Sequence, residues 1–119
     1  MGYQEEKKLV RNYYDAMEKA SPDEAERVLA RFTSEDYNWK GVYPFREQNG
    51  AGAAAEVFWT PLKKSLKHMQ RRMDIFLGGE NEIDGDRWVM SMGQFMGLFD
   101  EDFLGIRHTR KMQHLRYAE

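Results

Sequence analysis

The chain has 119 residues, 41% apolar and 13% aromatic, which is enough for one domain with a real core. A charged fraction of 32% and a net charge of −2 provide no global positive field for nucleic acid or for an anionic membrane. The absence of cysteine excludes a disulfide framework, a thiolate nucleophile and a thiolate metal site. No apolar run approaches the roughly 18 residues that a bilayer span needs. The N-terminus is charged where a signal peptide would be apolar, and Glu6 stands where a myristoylation signal after Gly2 wants Ser or Thr. A cytoplasmic protein is the expectation.

The first predicted element is a helix over 3–20, where Leu9, Tyr13, Ala16, Met17 and Ala20 recur at helical spacing and Val10 and Tyr14 widen the stripe. Ser21-Pro22-Asp23-Glu24 then supplies an N-cap, a proline at the first helical position and a capping-box glutamate. A second helix follows with Ala25, Val28, Leu29 and Phe32 on one side, and it should pair antiparallel with the first. Periodicity disappears from Thr33 to Gly50. A short strand is read over 38–42, then a loop at Tyr43-Pro44-Phe45 and Asn49-Gly50. A third helix is expected over 52–67, with Val57, Phe58, Leu62 and Leu66 inward and a kink or restart at Pro61.

From Gln70 the pattern alternates, Met69, Met73, Ile75 and Leu77 against Gln70, Arg72 and Asp74, which predicts a strand ending at Gly78-Gly79. Asp84-Gly85 is the strongest turn signal of the chain. In the long strand after it, Trp88, Met90, Met92, Gln94, Met96 and Leu98 share one face, and Val89, Ser91, Gly93, Phe95, Gly97 and Phe99 share the other. Two apolar faces place the strand in the middle of something. Gly93 and Gly97 remove the side chains that resist coiling, so the sheet should be sharply curved, with the leading helices filling it. A last, more polar strand is expected over 107–117. No repeat or domain boundary appears, and the whole of 1–119 reads as one domain.

The order of these elements, together with Pro44-Phe45-Arg46-Glu47-Gln48-Asn49-Gly50, Phe58-Trp59-Thr60-Pro61-Leu62, Met92-Gly93-Gln94-Phe95-Met96-Gly97 and Phe103-Leu104-Gly105-Ile106-Arg107-His108-Thr109-Arg110-Lys111, resembles the SnoaL-like (polyketide cyclase-like) branch of the NTF2-like superfamily. The resemblance runs from Val10 onward and implies an α+β fold: a cone of strongly curved antiparallel sheet packed against three N-terminal helices. Three departures accompany it. Gln94 stands where family members often place histidine, the Gly-Ile-Pro-Pro-Thr-Gly-Lys run has lost its prolines and its later glycine, and the sequence stops at Glu119, before the strand hairpin that carries the cyclases' acid/base aspartate. A C-terminally truncated domain is therefore one expectation.

Among candidate site residues, Asp74 would gain acid/base character if its face turned into the cone, since burial raises a carboxyl pKa. The plainer assignment is a surface pair with Arg72. Gln94, amid methionines, is a candidate ligand hydrogen bonder or a satisfied core amide. Tyr14, Trp39, Phe58, Trp59, Trp88, Met90 and Met92, with Tyr13 and Met17, are the expected wall of the cone, either as filled core or as a pocket for a flat apolar molecule. His68, His108 and His114 form no closely spaced ligand set, so no metal is expected, and no organic cofactor is implied. Lys63, Lys64, Lys67, Arg71 and Arg72 read as a solvated basic run at a helix end, with no nucleic-acid or membrane role.

Two functions remain. One is a cofactor-free acid/base isomerase or cyclase in which a carboxylate removes a proton alpha to a carbonyl; the other is a non-catalytic module that binds a small apolar ligand or a partner. The two apolar faces, and the family's habit of pairing back to back, imply a homodimer through the sheet that buries on the order of 800 Å² per subunit.

Overall fold

The protein is described here by a computed structural model covering residues 3–41 and 44–119. Val42 and Tyr43, at the end of the strand read over 38–42 and the start of its loop, lie outside the described residues. Helix α1 spans Gln4–Lys19. A short 3₁₀ turn, Pro22–Glu24, leads into α2, Ala25–Phe32. At that junction the Glu24 carboxylate accepts the Ser21 backbone N–H at 3.0 Å, as the capping-box sequence predicts. Ala25, Val28 and Leu29 are buried and Phe32 packs beside them, so the stripe expected for α2 is the one that forms. In α1, Tyr14 and Met17 are buried, but Leu9 is exposed, because the sheet reaches only part of that face.

Strands β1 (Asn38–Lys40) and β2 (Glu47–Asn49) make a separate antiparallel hairpin with Trp39 opposite Gln48. The second strand was expected as loop. Three polar residues carry no apolar alternation, so only their pairing reveals them. The third helix, α3, is continuous over 51–65 but changes pitch within it. It begins as Ala51–Ala54, widens into a π turn over Ala55–Trp59 and resumes as Thr60–Ser65. Pro61 explains the change: its ring would strike the carbonyl four residues back, and widening the preceding turn relieves the clash.

The main sheet has the order β3-β4-β5, with β3 Leu66–Glu80, β4 Arg87–Phe99 and β5 Met112–Ala118, all antiparallel. The last strand begins later than the 107 expected. Before it, the chain makes a tight turn at Leu104-Gly105, both at positive φ, closed by paired backbone bonds between Phe103 and Ile106. Strand β3 carries two bulges against β4, one between Lys67 and Gln70 and one between Met73 and Ile75. Gly97 faces the first and Gly93 faces the second. A Cβ on Gly97 would come within 2.9 Å of Leu66 Cβ, and one on Gly93 would collide with the Arg72 carbonyl oxygen. Each bulge bends the sheet and sharpens its twist.

The second bulge also inverts the alternation of β3. Up to it, Met69, Arg71 and Met73 face the helices. Beyond the extra residue, Phe76 faces inward opposite Ser91, while Ile75 and Leu77 turn outward and are 45% and 52% exposed. The face shared by Met73 and Ile75 in the sequence reading is thereby split. Inside the bend, Trp59, Leu62, Leu66, Phe95 and Tyr117 pack with Met17, Val28 and Leu29 as one core. None of the helices of the described residues is long and apolar enough to cross a membrane.

Gly93→Ala should destabilise the fold by about 2–3 kcal/mol through backbone overpacking, with Gly97→Ala milder because its closest approach, 2.9 Å to Leu66 Cβ, is less severe than the collision of a Gly93 Cβ with the Arg72 carbonyl oxygen. Urea unfolding of the two variants beside the parent would show it. Equal midpoints for all three would contradict the close approach.

Candidate functional site

The inner face of the sheet gathers a polar cluster that composition conceals. Arg71 projects from β3 into the bend with only 7% of its side chain exposed. Its guanidinium lies 3.4 Å from the Tyr14 ring centroid, 4.5 Å from that of Tyr117 and 4.8 Å from that of Phe95. Nη1 donates to Glu119 Oε1 at 2.9 Å. A planar cation tolerates such a place because its faces meet ring quadrupoles while its edge meets a carboxylate. Burial pulls the Arg71 pKa down, but Glu119 and Tyr14 outweigh it and the group is held above its usual value.

Behind the guanidinium runs a chain of hydroxyls. Ser91, fully buried on β4, donates to Tyr117 Oη at 2.9 Å, and the Tyr14 hydroxyl is 3.0 Å from Ser91 Oγ. With the Ser91 proton committed to Tyr117, Tyr14 is the donor in the second bond. Glu119 is fixed in turn by reciprocal backbone bonds with Ser91, 2.8 and 2.7 Å. Its side chain keeps 31% of its surface open, so the carboxylate is the part of the cluster that solvent or a ligand reaches. Burial, with Glu119 adding to it, pushes the Tyr14 and Tyr37 phenols up to about 12. Tyr13 is likewise raised well above the usual phenol value, first by burial and then by Glu119, and among the described residues its buried hydroxyl has no hydrogen-bond partner. The arrangement offers protonated phenols and a fixed cation around one accessible carboxylate.

The residues singled out in the sequence divide between the two faces. Tyr14 and Trp59 are in the buried interior, and Trp39 and Phe58 stack there at 5.0 Å between centroids. Trp88, Met90, Met92 and Gln94 all lie on the outer face of β4, Trp88 being 61% exposed. Gln94 Oε1 is 3.1 Å from His114 Nδ1 there. Asp74 occupies the bulge with half its side chain exposed and pairs with Arg72 Nε at 3.1 Å, which is the plainer of its two assignments. The solvated basic run is also corrected. Arg71 is buried as described, and Lys63, 8% exposed, donates from Nζ to the Met17 carbonyl at 2.7 Å. Arg71 was read only as part of that run, and Ser91, Tyr117 and Glu119 were not singled out as site residues. The available signal was Arg71 sharing its alternation with Met69 and Met73, a charge on an apolar parity.

The phenols give a measurable consequence. A folded-state pKa above the unfolded value of about 10 means that the stabilisation is complete below pH 10 and is lost as pH rises toward about 12. Phenolate absorbance should therefore appear in two phases. The later one should shrink in a Tyr14→Phe, Tyr37→Phe double variant, leaving the contribution of Tyr13, and the denaturation midpoint should fall above pH about 10. One phase near the ordinary tyrosine value would show that the cluster is open to water.

No protein-family model and no curated protein sequence matches the chain. Its structure is similar to the crystal structure of a SnoaL-like polyketide cyclase from Jannaschia sp. CCS1, with a TM-score of 0.71 and 15% identity, over 93% of this chain and 71% of that one. The likeness establishes the fold as the one the sequence resembles, helices packed on an antiparallel sheet in the SnoaL-like, NTF2-like arrangement, with the sheet left open at its edges.

Proposed function

We propose that this chain is a SnoaL-like module that binds a small, flat, largely apolar carbonyl compound at the mouth of the bend and moves a proton on it without a cofactor. The observation that carries this reading is the Arg71–Glu119 pair, a buried cation clamped by three rings and joined to a carboxylate that remains reachable. In this reading Glu119 takes a proton alpha to the carbonyl. Arg71 positions the carboxylate, and the aromatic surround keeps water from competing. Glu119 replaces Asp74 as the acid/base candidate because Asp74 is on the opposite face. The polyketide cyclase to which the fold is similar lends weight to a ligand of this class.

The test is deuterium exchange at the benzylic alpha carbon of 2-tetralone in heavy water, followed by proton NMR. The parent should accelerate exchange over buffer, and Glu119→Gln should remove the acceleration while ligand-induced tyrosine fluorescence changes persist. Circular dichroism verifies that the variant is folded. Exchange no faster than in buffer would end the catalytic reading.

The second reading is pairing between copies, and it rests on the outer sheet face. Trp88, Leu77, Ile75 and Met90 are 61%, 52%, 45% and 44% exposed there, a contiguous apolar area of the kind that marks an interface. Two copies meeting back to back would bury about 800 Å² each. Sedimentation equilibrium should give a dimer at micromolar concentration that Trp88→Lys, Met90→Lys converts to monomer. A parent sedimenting as a monomer would refute it.

A further inference from the structure

A second concavity lies on the other side of the helices. Between the start of α2, the outer face of α3 and the turn after β4 runs an open groove of about 710 Å³. Its floor is apolar, made by Pro22, Ala55, Pro61 and Phe103, and Leu104, 52% exposed, stands at its edge. The positive φ of Leu104 and Gly105 and the backbone bonds between Phe103 and Ile106 fix that leucine in place. Its rim is acidic. Asp23 and Glu26 come from α2, Glu56 from α3, and Glu101 and Asp102 from the turn, against one lysine, Lys64.

Glu101 is compensated by Lys67 at 2.7 Å, and Asp102 accepts a hydrogen bond from the His108 backbone N–H at 2.9 Å and lies 2.6 Å from its Nδ1. Among the described residues, Asp23, Glu26 and Glu56 form no ion pair. The first two complement the start of a helix, but Glu56 is in the interior of α3, where no dipole asks for it. Carboxylates from separate segments facing one apolar floor repel each other. A cation laid across them removes that cost, and apolar side chains beside the cation would cover the floor.

We infer that this groove docks a basic, apolar peptide segment of a partner protein, lysine or arginine against the rim and leucine-like side chains against Pro61, Phe103 and Leu104. The site is independent of the Arg71–Glu119 cluster and of the outer sheet face, and its occupant is recognised by charge complementarity together with the exposed leucine. Neither feature alone selects it: a small polycation would use the rim only.

The experiment uses the full chain and a fluorescein-labelled amphipathic probe peptide of alternating lysine and leucine pairs, followed by anisotropy. Binding should weaken with added salt. Glu26→Lys, Glu56→Lys should weaken it about tenfold or more, and Leu104→Asp about threefold to tenfold. A charge-matched control, Glu80→Lys, Glu82→Lys on the β3–β4 hairpin, should leave it within about twofold. Spermine should displace the peptide poorly. Equal loss in the hairpin control, displacement by spermine at the peptide's own concentration, no effect of Leu104→Asp, or no binding to the parent would each overturn the assignment.

Discussion

The molecule depends on how closely two backbones approach across the β3–β4 pair. Opposite each irregularity of β3, β4 places a glycine, and the space a side chain would need is taken by the Arg72 carbonyl at one position and by Leu66 at the other. The bends follow from that pairing, and everything on the concave side follows from the bends. Helices α1 and α3 find a hollow to fill, Phe95 and Tyr117 stack at 4.8 Å, and Arg71 is carried from a strand edge into the interior.

Arg71 shows how the fold turns an expensive residue into an organised one. Burying a cation is costly unless the surroundings replace water. Here the replacement is divided among ring faces and one carboxylate, and each ring is itself anchored. Tyr14 belongs to α1, Phe95 to β4 and Tyr117 to β5, so the guanidinium ties three elements to a fourth. Ser91 joins two of the same rings through its hydroxyl, which makes the cluster a single unit rather than a set of pairs.

How much of this was legible in the sequence depends on the residue. Helix periodicity located α1, α2 and α3, the capping box located the start of α2, and the parity of β4 was right on both faces. The bulge at Asp74 was not legible. An extra residue has no compositional mark, so Ile75 was grouped with Met73 and Asp74 was allowed toward the cone. Which face of β4 met the helices was equally undetermined, since both are apolar: Trp88, Met90 and Met92 were placed with the wall and Gln94 was read as a ligand hydrogen bonder or a core amide, and all four belong to the outside. Arg71 and Lys63 were read as solvated because charge near a helix end usually is. In both cases the interior supplies a specific partner, Glu119 for one and a helix carbonyl for the other.

The Lys63 bond to Met17 has a mechanical meaning. Together with Tyr14 and Met17 it fastens the C-terminal half of α1, whereas near its beginning the ion pair of Glu6 with Arg87 is at the surface. The first helix is therefore a lever with its pivot deep in the body. Its other end rests on the β3–β4 hairpin through the Glu6–Arg87 pair and the contacts of Lys7 and Arg11 with the Phe76 ring, so the hold on the helix passes from buried to solvent-facing along its length.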